Sequence, residues 1–331
     1  MRLAWLGFVL GSLALWLALR GLAWSDLADS LSRVRYGWVL AAVASTLLTL
    51  LIGAVRWQVL FHPDWGTCHL RSLFRANVVG QMLNIVSPIR VGEIARIFDL
   101  AASDGLSKAR ILVTLAVEKA LDLAMFACAV VATLSLVVFP DAVRIQQRTL
   151  WLVGVAGSIG LWLMARYGAE GRLARLVALL PGRWQRRVAP HAERLLQGLS
   201  SLRSPRASLL AVLLSIVLLA VAALTNYLLF RAFGLELSFV AALFLLVLLQ
   251  VGSVPPSLPG KIGVFNYVVV VGLSALGVDR SLAFSYSVAL YAVALLPKVV
   301  LGVAYLACGS RGWSGSLAGL RAAAASEMRQ A

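Results

Sequence analysis

The chain has 331 residues, of which 61% are hydrophobic and 13% are charged, with a mean hydropathy of +0.89. Soluble domains carry charge on about a quarter of their residues, so the composition argues against a soluble globular protein. The net charge of +16 does not indicate nucleic-acid binding, because the basic residues lie between apolar blocks and not along one soluble face. Anionic lipid and the positive-inside bias of membrane proteins explain it better.

The apolar segments, taken in chain order, predict an all-α polytopic membrane protein with about eight transmembrane helices. A spanning helix needs roughly 20 mostly apolar residues, because the hydrocarbon core is about 30 Å thick. The connections are too short for a second domain, so residues 1–331 are predicted to form one membrane domain with a tail at 311–331. The eight candidate spans are 3–19, 38–61, 111–139, 150–165, 209–230, 237–254, 262–277 and 282–308.

A ninth segment, residues 74–86, is apolar but too short to be a typical span. It carries Asn77, Gln81 and Asn84, and Pro88 follows it. Polar backbone at membrane depth is tolerated only where protein or water covers it. The segment is therefore predicted to be a re-entrant or broken helix.

The longest polar connection, residues 166–206, sets the predicted orientation. It carries nine arginines against two glutamates, which predicts that it lies in the cytoplasm. Counting spans outward from this basic loop places both termini in the cytoplasm if the segment 74–86 does not cross. If that segment does cross, the N-terminus lies outside.

Two motifs about half a chain apart, residues 88–92 and 259–263, share the pattern Pro, any residue, cation, aliphatic residue, Gly. Their match predicts an internal duplication with halves of roughly 1–149 and 150–310, although a pair of ordinary interfacial turns would also explain it. Whether the halves are parallel or inverted depends on the segment 74–86. Proline removes a backbone donor and glycine permits unusual dihedral angles, so both motifs are predicted helix breaks. The residues of the predicted breaks are Pro88, Gly92, Pro259, Gly260 and Gly263.

Three charged residues, Glu118, Lys119 and Asp122, lie inside the apolar run 111–139. Each costs roughly 2.5 to 3.5 kcal/mol if it faces lipid at a helix centre, so the three are predicted to face protein or water. Glu118 and Asp122 share a helix face at i,i+4, and Lys119 is within i,i+3 reach of Asp122. The alternative is that this long run exceeds the hydrocarbon thickness and leaves Glu118 near an interface.

Two further charged groups each have two interpretations. Glu93 lies three residues from both Arg90 and Arg96, a spacing that permits ion pairs within one helix. Such a helix is either part of a buried cluster or a solvated cytoplasmic helix. Arg56-Trp57 at the end of the second span is typical of a snorkelling arginine beside an interfacial tryptophan.

Together these motifs resemble the transmembrane, flippase-like domain of lysylphosphatidylglycerol synthases and its stand-alone relatives. The resemblance covers nearly the whole chain and implies a helical domain of the bacterial inner membrane that moves or accommodates a lipid. The blocks that carry it are Arg56-Trp57, residues 84–96, Glu118-Lys119 with Asp122, and residues 256–264.

Two positions depart from the family pattern. Lys261 stands where the later turn usually has its second glycine, and Asn266 stands where relatives commonly carry glutamate. Both make the region more positive, which favours an anionic phosphate ligand over a cationic lysyl-lipid. The chain ends soon after the last predicted span, so we expect no aminoacyl-transferase domain and no lipid aminoacylation.

The sequence therefore predicts an inner-membrane lipid translocase or lipid-binding transporter that is not an enzyme and has no catalytic residues, metal or cofactor. Arg90 and Lys261 are predicted to hold a lipid phosphate, with the other residues as polar lining. One alternative is an accessory subunit that serves an enzyme of an envelope pathway. A membrane transferase is less favoured, since the chain has no DxD, no HxxxH and three scattered histidines. The predicted substrate-binding residues are Arg56, Asn84, Arg90, Glu93, Arg96, Glu118, Lys119, Asp122, Lys261 and Asn266.

Overall fold

A computed structural model describes residues 32–87, 91–136, 204–252, 259–261 and 263–308, and these ranges contain eight α-helices, two 3₁₀ turns and no β-strand. The 3₁₀ turns are Trp65–Thr67 and Pro259–Lys261. The helices are α1 (Tyr36–Val59), α2 (Leu70–Val86), α3 (Gly92–Asp104), α4 (Lys108–Leu136), α5 (Pro205–Ala232), α6 (Phe239–Gly252), α7 (Val264–Ala275) and α8 (Arg280–Cys308).

Three of these helices are long and apolar enough to cross a membrane: α1, α5 and residues Arg280–Ala307 of α8. Helix α4 has 29 residues and is also long enough, about 44 Å at 1.5 Å per residue, but it carries the charged residues noted above. The described residues therefore confirm the prediction of an all-helical, multi-pass membrane protein, with three candidate spans.

The predicted spans 237–254 and 262–277 need correction. They correspond to α6 and α7, which have 14 and 12 residues. At 1.5 Å per residue these helices are about 21 and 18 Å long, so neither crosses about 30 Å of hydrocarbon by itself. The predicted spans 3–19 and 150–165, the basic loop up to residue 203 and the tail lie outside the described residues. The number of eight spans thus stays a prediction.

Helices α1 and α5 pack side by side in opposite directions. The Ser45 hydroxyl donates to the Val221 carbonyl at 3.0 Å, and the Arg35 N–H donates to the Ala232 carbonyl at 3.0 Å. This antiparallel packing defines two ends of the helical bundle, which we name after Arg110 and Asp279. The Arg110 end contains the helix termini Val59, Leu70, Asp104, Lys108 and Pro205, and the Asp279 end contains Tyr36, Ala232, Phe239, Ala275 and Arg280.

Helices α2 and α3 form a hairpin that opens toward the Arg110 end. The His69 N–H donates to the Asp104 carboxylate at 3.1 Å where the hairpin opens. Near its tip, the Gly92 N–H donates to the Asn84 side-chain oxygen at 2.8 Å. This geometry fits the re-entrant or broken helix that the short segment 74–86 predicted, because the chain enters and leaves at the same end.

Helices α6 and α7 form a second hairpin, which opens toward the Asp279 end. At that end the Asn226 side chain of α5 donates to the Ala242 carbonyl of α6 at 3.1 Å. Helix α8 begins at the same end and runs back to the Arg110 end, where Tyr305 contacts the Phe74 ring of α2 with 6.3 Å between centroids. The turn Pro259–Lys261 at the tip of the second hairpin packs against α2 of the first.

Candidate functional site

A cavity of about 530 Å³ lies where the two hairpin tips approach α1, α4 and α5. Its lining brings together residues that are separated by up to 212 positions, from Thr49 to Lys261. Arg90 and Pro88 lie outside the described residues. The predicted site residues that line the cavity are Arg56, Asn84, Glu93, Arg96, Glu118, Lys119, Asp122 and Lys261.

The innermost contact of the cavity is an ion pair between Arg96 of α3 and Glu118 of α4. One guanidinium nitrogen of Arg96 donates to each carboxylate oxygen of Glu118, at 3.2 and 2.7 Å. Both side chains are buried, with 6% and 8% of the side-chain surface exposed. Two-point pairing fixes the mutual orientation of the groups and is among the stronger kinds of hydrogen bond.

Arg56 of α1 forms the second set of contacts. Its guanidinium lies 2.7 Å from the Asp122 carboxylate and 3.7 Å from Glu118, and it donates to the Ser215 hydroxyl of α5 at 3.2 Å. The snorkelling interpretation of Arg56-Trp57 is wrong, because 3% of Arg56 and none of Trp57 is exposed. The reason is that α2, α4 and α5 pack around this end of α1 and enclose both side chains.

Trp57 packs against the Arg96 side of the Arg96–Glu118 ion pair. Its ring lies under the Arg96 guanidinium at 4.0 Å, and its indole N–H donates to the Thr114 hydroxyl at 3.0 Å. A buried tryptophan needs such a partner for its one donor, and the ring face attracts the cation. The dipeptide Arg56-Trp57 thus contacts both α3 and α4.

The three charged side chains of α4 differ in exposure. Side-chain exposure is 8% for Glu118, 37% for Asp122 and 55% for Lys119, whose ammonium lies 3.5 Å from Asp122. The predicted shared face and the i,i+3 contact are therefore present. The described lining has four basic and three acidic side chains, which leaves a formal charge of +1.

Two donors at this centre retain hydrogen-bonding capacity. Among the described residues, the buried Nε atoms of Arg56 and Arg96 have no hydrogen-bond partner. A buried donor without a partner costs free energy, so such groups often mark a site that receives a polar ligand or water.

The tip of the first hairpin is organised by Asn84. Its side-chain N–H donates to the Glu93 carboxylate at 3.1 Å, while its oxygen accepts the N–H of Gly92. Glu93 and Arg96 are therefore not paired with each other, as their spacing would have permitted, because Arg96 turns to Glu118 on another helix. A Cβ on Gly92 would collide with the Gly80 carbonyl, so the close approach of α2 and α3 requires glycine here.

The tip of the second hairpin has three residues in the left-handed region: Gly260 (φ 72°), Lys261 (φ 61°) and Gly263 (φ 87°). Glycine adopts this region freely, but a residue with a Cβ does so at a cost of roughly 1–2 kcal/mol. The Tyr291 hydroxyl of α8 donates to the Gly260 carbonyl at 2.9 Å and holds the turn. Lys261 is thus kept at the cavity in a conformation that a lysine would not choose by itself.

Asn266 lies apart from the other predicted residues. It is buried on α7 and donates to the Ser287 hydroxyl of α8 at 2.9 Å, away from the cavity lining. Sequence reasoning did not single out Ser215, which accepts a hydrogen bond from Arg56. A serine within an apolar span carries no distinctive spacing signal, and only the packing of α5 against α1 brings it to the site.

These features define a multi-pass helical membrane protein with a charged cavity between two helical hairpins. The sequence matches the family described as lysylphosphatidylglycerol synthase TM region over residues 4–302, so the chain belongs to that family and is a membrane protein related to lipid handling. This match confirms the resemblance carried by the motifs. Among curated proteins, none matches the chain.

Proposed function

We propose that this protein is a flippase-like lipid translocase, not an enzyme, and that it moves an anionic phospholipid or lipid-linked headgroup across the bilayer. The observation that carries the proposal is the charged cavity between the two hairpin tips. Ionisable groups inside a membrane domain are costly and generally line a substrate or ion pathway. Family membership supports a lipid as the substrate.

The cavity offers the chemistry that a headgroup needs during passage. A phosphate that enters hydrocarbon loses its hydration, and charged hydrogen-bond donors replace the lost contacts. Lys261 supplies one such donor from the second hairpin, and Arg90 is proposed to supply another from the first. The Nε groups of Arg56 and Arg96 are additional donors, and the acidic residues limit the net positive charge.

The direction of the helices supports an inverted internal repeat. A long helix, a hairpin and a second long helix occur as α1 to α4, and the same order occurs as α5 to α8. The first hairpin opens at the Arg110 end and the second at the Asp279 end. Many secondary transporters have two such halves with the substrate site at their interface. We therefore propose that the halves 1–149 and 150–310 are inverted relative to each other.

We propose that the Arg110 end faces the cytoplasm of a bacterial cell and that the domain lies in the inner membrane. The basic loop 166–206 leads directly into α5, whose N-terminus Pro205 is at that end. Helix α8 also ends there, so we propose that the C-terminal tail 311–331 is on the same side. Both termini are then cytoplasmic if the region before residue 32 crosses once.

Reconstitution into phosphatidylcholine vesicles with a trace of fluorescent phosphatidylglycerol tests the proposal. Fluorescent lipid that reaches the inner leaflet is protected from an external quencher, so the rate of movement is measured directly. We expect Arg90→Ala combined with Lys261→Ala to slow movement on the order of tenfold or more, since each charged contact contributes about 1.5–3 kcal/mol. The matched control is Arg71→Ala combined with Lys108→Ala, two exposed residues outside the cavity.

Unchanged movement in the cavity double variant would contradict the roles of Arg90 and Lys261. Lipid movement absent from the wild-type vesicles, together with copurification of a stoichiometric envelope-pathway enzyme, would favour the accessory-subunit alternative. Native mass spectrometry of the purified protein identifies the retained lipid and tests the preference for an anionic headgroup.

A further inference from the structure

The cavity between the two hairpin tips has an apolar part in addition to its charged part. On α4 the charged lining residues end at Asp122, and the lining then continues with Met125 and Phe126. The spacing from Glu118 to Asp122 and from Asp122 to Phe126 is i,i+4, so these residues lie on one face of α4. That face therefore changes from charged to apolar along the helix axis.

Helix α5 shows the same change. Ser215, which accepts a hydrogen bond from Arg56 at 3.2 Å, is followed on the lining by Leu218, Leu219 and Ala222. At 1.5 Å per residue, Ala222 lies about 10 Å beyond Ser215 along the axis. Helices α4 and α5 both begin at the Arg110 end, so on each the apolar lining lies farther from that end than the polar lining.

Helix α6 contributes a third apolar stretch to the lining. It contacts both α4 and α5, and it lines the cavity with Leu246 and Val247. Because α6 begins at the Asp279 end, these two residues lie nearer to that end than Gln250, the polar lining residue of the same helix. The apolar lining of all three helices is therefore displaced toward the Asp279 end, within the same cavity of about 530 Å³.

A lining of this kind suits an amphiphilic ligand. Burial of hydrocarbon against apolar side chains is favourable, and a free phosphate or a sugar phosphate has no hydrocarbon chain to bury there. The cavity volume also lies within the range of ligand pockets, about 300–1,000 Å³. Since the chain belongs to a family related to lipid handling, a membrane lipid is the amphiphile that both parts of the cavity fit.

We propose that the apolar part of the cavity, between α4, α5 and α6, is a subsite for an acyl chain of the lipid whose headgroup occupies the charged part. The bound lipid then has its headgroup toward the Arg110 end and its chain toward the Asp279 end. This is the orientation of a lipid in the leaflet at the Arg110 end, so this conformation accepts its lipid from that leaflet. The inference rests on the proposed function for the binding of a lipid headgroup, but not for its movement.

Photo-cross-linking tests the position of the chain. The full protein is reconstituted into phosphatidylcholine vesicles with a trace of phosphatidylglycerol that carries a diazirine at the end of one acyl chain, and labelled residues are identified by mass spectrometry. We expect labelling around Phe126 and Leu246 that an excess of unlabelled phosphatidylglycerol removes; we call this cavity labelling. Labelling of exposed positions outside the lining, such as Leu213, should persist because it depends on the probe in the surrounding bilayer. A diazirine on the headgroup should instead label the lining near Lys119.

A variant that obstructs the apolar part provides the second test. Ala222→Trp places an indole in the lining, and the matched control Ala220→Trp places the same group at an exposed position of α5 outside the lining. Each buried CH₂ group raises affinity roughly fourfold, so exclusion of two or more should lower cavity labelling on the order of tenfold or more. Ala220→Trp should stay within about threefold of wild type. If Ala222→Trp does not fold, Ala222→Leu with Ala220→Leu as its control gives a smaller obstruction.

The outcomes for the subsite and for the translocase are distinguishable. Equal cavity labelling in Ala222→Trp and wild type, or labelling near Lys119 by the acyl-chain probe, overturns the subsite. Cavity labelling that Ala222→Trp abolishes, without lipid movement by the wild type in vesicles, supports the subsite and contradicts the translocase. Lipid movement by the wild type without any cavity labelling contradicts the subsite alone.

Discussion

Arg96 of α3 and Glu118 of α4 meet through two hydrogen bonds, of 3.2 and 2.7 Å, although they are 22 residues apart in the chain. Arg56 of α1 lies 3.7 Å from the same carboxylate, so this glutamate connects three helices. Breaking a buried ion pair by removing one member costs about 3–5 kcal/mol, because the other charge stays buried without compensation. The first hairpin is therefore held to the long helices by charge as well as by packing.

Substitution of Glu118 tests this connection. Glu118→Gln keeps the shape but leaves the Arg56 and Arg96 guanidinium groups without their shared carboxylate, so we expect a destabilisation of about 3 kcal/mol or more. Asp122→Asn is the control, since its carboxylate is 37% exposed and water can compensate. Thermal unfolding of both variants in detergent gives the comparison. Equal melting temperatures would show that Glu118 does not hold the bundle.

The close approach of α2 and α3 makes a second prediction. A Cβ on Gly92 would collide with the Gly80 carbonyl, which is backbone and cannot turn aside. We expect Gly92→Ala to lower the melting temperature clearly. Gly37→Ala in the first turn of α1 meets nothing within 4 Å and should leave stability unchanged or slightly higher. Equal melting temperatures for the two variants would show that α2 and α3 can move apart at Gly92 without loss of stability, and would contradict the prediction.

Substitutions of Lys261 should have different effects on stability but the same effect on lipid movement. Its φ of 61° suits glycine, so Lys261→Gly should not reduce stability. Lys261→Val should reduce it by roughly 1 kcal/mol or more, because a β-branched side chain tolerates this region poorly. Both variants remove the charge and should move anionic lipid slowly. A Gly variant less stable than the Val variant would contradict the left-handed conformation.

The direction of the first hairpin can be tested by cysteine accessibility. In a chain whose own cysteines are replaced, Trp65→Cys and Ser107→Cys flank α2 and α3, and Glu236→Cys lies at the other end of the bundle; all three positions are exposed. We expect a membrane-impermeant maleimide to label Glu236→Cys in intact cells and the other two only after permeabilisation. Labelling of Trp65→Cys and Ser107→Cys from opposite sides would mean that the segment crosses.

Much of the helical framework could be predicted from the sequence because its signals are local. Apolar runs of sufficient length marked α1, α4, α5 and α8 within a few residues of their observed ends. The polar residues of the segment 74–86 and the Pro-Gly motifs marked the two helix breaks. The cost of charge in hydrocarbon indicated that Glu118 and Asp122 face the interior.

The partners of the site residues could not be predicted, because helical spacing restricts contacts within one helix only. Spacing allowed Arg96 to pair with Glu93. In the folded protein Arg96 instead forms an ion pair with Glu118, and Glu93 accepts a hydrogen bond from Asn84. Packing also enclosed Arg56 and Trp57, whose sequence position suggested an interface. Asn266, which lies close to Lys261 in the chain, is directed to α8 instead.

For this protein the sequence by itself determined that the chain is a multi-pass membrane protein, where its long helices lie, and which charged residues would face the protein interior. Those properties depend on the free energy of placing each segment in lipid, which is nearly independent of the other segments. Only the tertiary structure decided that the two hairpins open at opposite ends and that Lys261 lines the same cavity as the Arg96–Glu118 ion pair. These relations depend on side-chain packing between helices far apart in the chain, for which one sequence contains no local signal.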